Sequence, residues 1–161
     1  LKASVQTYFS NDLSFATKTV NGVKLIALDN TDHQIKPEIL ERLEKEVQSG
    51  EPIILMMHAP IHTPAIREAS RCDLQVKCNL NRPTVFMGVP EEAKDFYHGY
   101  EGVYESIIPT ETTLRACELI RTATNIRCVL TGHLHFDYLC DLGDKMQIMT
   151  GCNTLREILV Y

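Results

Sequence analysis

Three of the six histidines in this 161-residue chain stand just beyond short apolar runs, a placement that suits metal or phosphate chemistry. His58 follows Pro52 to Met57, and Gly132-His133-Leu134-His135 follows Cys128 to Thr131. If the strand continues locally, His133 and His135 project to the same side, and Gly132 gives the backbone freedom to turn so that both rings converge. Two neutral imidazoles from one short segment, joined by His58 from a neighbouring strand, suit a borderline transition ion such as Zn, Mn or Fe. Taken alone, His58 reads as an ordinary hydrogen-bonded histidine at a strand end. The Gly-His-x-His elsewhere in the chain is what makes it a candidate metal ligand. Asp137, two beyond His135, is placed either to accept the ring N–H of a ligand histidine and fix its tautomer, or to stand as a plain carboxylate in water.

The remaining histidines offer less. His62 follows His58 by four, but Pro60 between them breaks the helix that a helical metal pair needs, which leaves His62 as a candidate substrate-binding residue lining the pocket. His33 lies in a polar turn and His98 in Tyr97-His98-Gly99-Tyr100, and both read as surface residues. That aromatic cluster is also suited to an apolar part of a substrate. Of the six cysteines, Cys117 and Cys128 fall on apolar faces and read as buried thiols. Cys72 and Cys78, six apart in an irregular region, read as free thiols, with a loop-closing bridge or a metal clip as the alternatives.

These residues need a scaffold that delivers two strand ends to one place. Asn21-Gly22, flanked by the β-rich runs Ser14 to Val20 and Val23 to Leu28, is a strong hairpin signal because both residues accept positive φ. The second run turns continuously apolar after Lys24 and reads as a central strand covered on both faces. Pro37 suits the first position of a helix whose inner side carries Ile39, Leu40, Leu43 and Val47 and which Gly50 stops. Pro52 to Met57 has the composition of a buried strand, parallel to the one before it because a helix intervenes. Residues 59–110 hold few periodic patterns and read as a long insertion with one short helix near Glu91 to Tyr97. A second helix is expected from the N-cap Thr110 to about Thr124, with Leu114, Cys117 and Ile120 or Arg121 inward. Cys128 to Thr131, a closing hairpin of Tyr138 to Leu142 and Met146 to Thr150, and a last strand near Glu157 to Tyr161 complete the order. The fold class is therefore α/β, a mixed β-sheet with flanking helices in a single domain over residues 1–161. In open α/β sheets the ligand crevice lies at the carboxyl ends of the strands, where all three candidate ligands stand.

Composition narrows the partners. Lys and Arg number 16 against 21 Asp and Glu, a formal net charge of −5, and no basic run marks a nucleic-acid-binding surface. No apolar stretch approaches the roughly 20 residues that span a bilayer. A chain of this length buries roughly 68–70% of its surface, enough for a core without staples. It opens at Leu1 with neither a Met nor a leader pattern, so the expected location is cytoplasmic, with a shortened N-terminus as an open alternative.

The strings Leu25-Ile26-Ala27-Leu28-Asp29, Ile53 to Pro60 with its strand-end His58, and Val129-Leu130-Thr131-Gly132-His133-Leu134-His135 resemble the second half of a calcineurin-like metallophosphoesterase domain. The likeness runs over nearly the whole chain apart from the insertion. It implies half of a four-layer α/β/β/α sandwich and a site where two divalent metal ions (Mn, Fe or Zn) clamp a phosphate mono- or diester and activate a hydroxide. It implies further that His58 and His133 serve one metal and His135 the other. The family's Asp-x-His, Gly-Asp-x-x-Asp and Asn-His motifs are absent from these residues. Gly143-Asp144-Lys145-Met146-Gln147 lacks the second Asp and reads as a hairpin turn. Without carboxylate ligands, three imidazoles hold a dinuclear centre poorly, so the fragment is expected to be weak or inactive alone.

Two rival readings stay open. His133-Leu134-His135-Phe136-Asp137-Tyr138-Leu139 is similar to the histidine-triad pattern of nucleotide hydrolases, with Asp at the third histidine position. That would make His135 a nucleophile toward an α-phosphate without any metal, and leaves His58 unused. The non-enzymatic reading is a half-domain that assembles with a missing N-terminal half, a second copy or another partner. In that case the sheet face away from the helices is apolar and covered by something other than the chain's own two helices.

Overall fold

A computed structural model describes residues 12–77, 83–152 and 154–159. The Asn-Gly signal does what its chemistry demands: β1 (Phe15–Val20) and β2 (Val23–Leu28) pair antiparallel around Asn21 at φ 50° and Gly22 at φ 78°. Helix α1 (Pro37–Gln48) starts on its proline and buries Ile39, Leu40 and Leu43 against the sheet. Each such burial is worth about 1.5–3 kcal/mol. Then come β3 (Ile53–Met56), α2 (Pro64–Lys77), a 3₁₀ turn at Glu91–Tyr97, α3 (Glu101–Ile107), α4 (Glu111–Thr122), β4 (Ile126–Thr131), β5 (Tyr138–Leu142) and β6 (Lys145–Met149).

The six strands form one mixed sheet in the order β1-β2-β3-β4-β6-β5. The neighbours β2, β3, β4 and β6 run parallel, and the hairpins β1-β2 and β5-β6 close the two edges. The α/β class and the mixed sheet expected from the pattern are thus both present. Gly143-Asp144 is the hairpin turn, with Gly143 at φ 72°. Register sorts the side chains into rows. Ile26, Leu55, Val129 and Gln147 stand opposite one another across four strands and are fully buried under the helices.

The interleaved rows point the other way. Leu25, Ile54, Cys128 and Met146 form one, and Ala27, Met56, Leu130 and Ile148 the next. None of these eight apolar residues belongs to either core cluster of the described residues; Ile54 is buried at 6% exposure, whereas Met146 is 37% exposed. The far face is therefore apolar, as expected. The reading of β2 as covered on both faces fails, because only Ile26 and Leu28 of its central run are buried.

Three further expectations are corrected. The insertion is more structured than its pattern suggested, carrying α2, the 3₁₀ turn and α3. Helix α2 has no plain apolar period to mark it in the sequence, although local signals open it: Pro64 sits at the first position and Thr63 Oγ1 accepts from the Ile66 N–H at 3.2 Å. Together with Leu134, Cys140 and Met149, the insertion builds a second apolar core from Phe86, Val89, Ala93, Tyr97, Tyr104 and Ile107. In α4 the buried residues are Thr113, Ala116, Cys117 and Ile120, whereas Leu114 is 49% exposed. Leu114 instead lines a cavity of about 560 Å³ with Val89, Lys94, Tyr104 and Ile108. Finally, residues 157–159 form no strand. The question of a Cys72 and Cys78 pair lies outside the described residues.

Candidate metal centre

The neighbours β3 and β4 run parallel, so their carboxyl ends emerge side by side. Backbone bonds extend the pairing past both strands: Met57 N donates to Leu130 O at 3.0 Å and Gly132 N to His58 O at 3.2 Å. His58 and His133 are thereby brought into contact, with His133 Nδ1 at 3.1 Å from His58 Nε2 and ring centroids 4.9 Å apart. One of these nitrogens carries the proton of that bond.

A buried amide sets the position of His58. Asn30, fully inaccessible at the end of β2, accepts from the N–H groups of both His58 and Ala59 at 2.9 Å and donates to Ala59 O at 2.7 Å. The peptide carrying His58 is clamped from three sides. In the sequence Asn30 has no signal beyond an amide two residues after an apolar strand.

His33 also joins the group, although it reads from sequence as a surface residue. Its N–H closes a turn onto Asn30 O at 2.9 Å, its ring meets that of His133 edge-on at 5.2 Å, and its Nε2 is buried without a hydrogen-bond partner. Burial, with the nearby His58, lowers its pKa. His133 is pushed further, to about 4, by burial first and then by the charges of His33, His58 and His135. A neutral imidazole with a free lone pair is the ligand form.

The segment after β4 does not continue as a strand. Thr131 ends it, and His133 at φ 68° and His135 at φ 62° curl the chain, while Gly132 is not among the positive-φ residues. The freedom assigned to the glycine is thus taken up by the histidines. Leu134 is pulled into the second core at 1% exposure, and His135 is left exposed. His135 is near enough to His133 to act on its charge. Among the described residues no group of three or more His, Cys, Asp or Glu side chains is placed to hold a metal ion.

Two other candidates go elsewhere. Asp137 does not turn to a histidine: its Oδ1 accepts from Gly151 N, Thr154 Oγ1 and Arg156 Nε at 3.1–3.2 Å, pinning the segment after β6. His62 lies inside the second core at 6% exposure, edge-on to Phe86 at 5.8 Å, with an unpartnered Nε2. Burial, aided by Arg67 and Arg121, lowers its pKa to about 4. It is an interior residue and does not line the crest of histidines. Tyr97 of the aromatic cluster is likewise core, 1% exposed, its hydroxyl donating to Thr84 O at 3.0 Å.

No family model matches this chain, and no curated protein matches it in sequence. Among solved structures it is similar to the Plasmodium protein GAP50, described as the anchor in the inner membrane complex, with TM-score 0.44 and 12% identity over 89% of this chain and 38% of that one. It is also similar to a Staphylococcus aureus protein provisionally named a 5'-nucleotidase and solved with alpha-ketoglutarate, with TM-score 0.41 and 19% identity over 88% of this chain and 24% of that one. The chain therefore spans well under half the length of either. No helix among the described residues is long and apolar enough to cross a membrane.

Proposed function

We propose that the crest bearing His58, His133 and His135 is part of a metal-dependent phosphoesterase centre that hydrolyses phosphate mono- or diesters. The observation that carries this reading is the 3.1 Å approach of His133 Nδ1 to His58 Nε2 at the carboxyl ends of adjacent parallel strands. Two bonds of about 2.0–2.1 Å to one tetrahedral ion set their nitrogens about 3.3 Å apart, close to the separation of this hydrogen-bonded pair. Divalent Mn, Fe or Zn would supply Lewis acidity to the phosphate and lower the pKa of water. The chain's own part is to hold imidazoles at a fixed spacing, through the Asn30 clamp and the curl after β4. A chain with net charge −5 offers a phosphate ester little attraction by itself, which is consistent with bound cations providing it.

The carboxylate motifs that the resemblance calls for are absent from these residues, so these 161 residues alone should hydrolyse esters weakly. The apolar rows on the far sheet face fit a second β-layer, supplied by a further part of the protein or by a second copy. Calorimetric titration with Mn²⁺ and Zn²⁺, alongside hydrolysis assays on an aryl phosphomonoester and a bis-aryl phosphodiester, tests the centre. Ion uptake should fall at least about ten-fold in both His58→Ala and His133→Ala. Uptake indifferent to both substitutions overturns the reading, as does robust hydrolysis in the presence of a chelator, which would favour the metal-free histidine nucleophile.

A further inference from the structure

On the far face of the sheet the strand register lines up a row with opposite charges at its two ends. Lys18 of β1, Leu25 of β2, Ile54 of β3, Cys128 of β4, Met146 of β6 and Asp141 of β5 stand opposite one another across all six strands. Paired positions of neighbouring strands project to one side, so the row reads cation, four apolar residues, anion. The next row, from Ala16 to Leu139, is apolar from edge to edge. Val20 at 42%, Met146 at 37% and Leu139 at 49% exposure leave large apolar side chains of this face in water. Lys18 and Asp141 are both exposed, and among the described residues neither makes an ion pair.

We propose that this face is the interface of a homodimer in which two copies pack sheet on sheet about a two-fold axis parallel to the strands, Lys18 of each copy meeting the partner's Asp141. The row itself selects the axis. With β3 and β4 at the centre of the sheet, that axis lays β1 over the partner's β5, β2 over its β6 and β3 over its β4. Every residue of the row then falls on its complement: cation on anion, Leu25 on the partner's Met146, Ile54 on the partner's Cys128. An axis perpendicular to the strands and lying in the interface sets Lys18 against the partner's Lys18 instead. Both axes satisfy aligned sheet packing, within about 30°, so the charges decide between them. Edge charges of this kind fix orientation and partner choice, while the apolar rows supply the attraction. A partner for this row must carry the same pattern in reverse order, and a second copy does so by symmetry. Six strands span roughly 24 Å, and strands of six residues are roughly 20 Å long, so two copies cover roughly 1,000 Å² of flat footprint, the lower bound for a specific interface. The dimer is therefore reversible. Because the axis preserves direction along the strands, both histidine crests come to the same end of the sandwich. The dimer needs no ion at either crest, so it stands or falls separately from the phosphoesterase reading.

Sedimentation equilibrium of the purified chain in EDTA, from micromolar to sub-millimolar concentration, tests the proposal. The expected result is a concentration-dependent equilibrium between monomer and dimer. Lys18→Asp and Asp141→Lys should each raise the dissociation constant at least about ten-fold, because like charges then meet at both edges of the interface. The double exchange of Lys18→Asp with Asp141→Lys should bring it back to within about three-fold of the parent. Met146→Glu should abolish the dimer and leave the unfolding midpoint of the monomer unchanged, since that side chain is already 37% exposed. A parent that stays monomeric throughout overturns the proposal and leaves the face to another part of the protein or to a different partner. A dimer indifferent to Met146→Glu uses another surface, which overturns it equally. Single exchanges without effect, or a double exchange that fails to restore association, overturn the pairing of Lys18 with the partner's Asp141 and with it the axis.

Discussion

His58 and His62 are four residues apart and lie in opposite environments. His58 is exposed at the sheet crest, its backbone clamped by Asn30 and its ring against His133. His62 has turned inward with the chain, its N–H bonded to Met87 O at 2.9 Å and its ring shut against Phe86. The same side chain is an exposed imidazole bonded to a second histidine in one place and a buried, neutral packing unit in the other. Pro60 and the Ile61 backbone separate the two roles, and Gln147 fixes that crossing by donating to Ile61 O at 2.9 Å and accepting from Ile61 N at 2.8 Å. Local spacing therefore says little about a histidine's role; which core its strand end faces says most.

The largest effect should come from removing the clamp on the crest side. Asn30→Ala strands two N–H groups and one carbonyl, each costing about 1–3 kcal/mol when buried, so urea unfolding should show a loss of about 3–5 kcal/mol. A loss below about 1 kcal/mol would mean that water replaces the amide and the crest is not rigidly held.

His62 should supply the next largest effect, and it depends on pH. Its folded-state pKa of about 4 lies below the ordinary 6.5, so the unfolded chain binds the proton first as pH falls. Stability should be level above pH 6.5, decline between 6.5 and about 4, and level off below, for a total of about 3 kcal/mol from this residue. His62→Gln should remove its share of the decline in chelator-treated protein and leave the part that His133, also held near 4, contributes. An unchanged slope would place the acid sensitivity on His133 instead.

His58→Ala should give the smallest effect on stability, under about 0.5 kcal/mol by the same urea assay, because its ring is exposed and the Asn30 bonds use its backbone. A large destabilisation would erase the contrast with His62 and make His58 structural.

Sequence alone determined the parts of this protein whose signals are local. Asn21-Gly22 can make one tight turn cheaply, Pro37 opens one helix, Thr110 caps another with its side chain accepting from Thr113 N, and the apolar runs fall in strands with His58 and His133 just beyond them. The apolar far face was expected from the resemblance to a two-sheet domain rather than from any local pattern. What sequence could not carry was anything that depends on which backbone approaches which. Asn30 and His33 looked like turn residues because their partners lie 28 and 100 residues away in the chain, and no local pattern encodes such approaches. Asp137 and His62 looked like site residues because they stand near the strand-end histidines in sequence. Tertiary packing sent one to the segment after β6 and the other into the insertion's core, since Leu134 and Phe86 are buried at those points and direct the chain around them. The strand order that sets β3 beside β4 decided the rest: it turns two histidines 75 residues apart into a pair with nitrogens 3.1 Å apart.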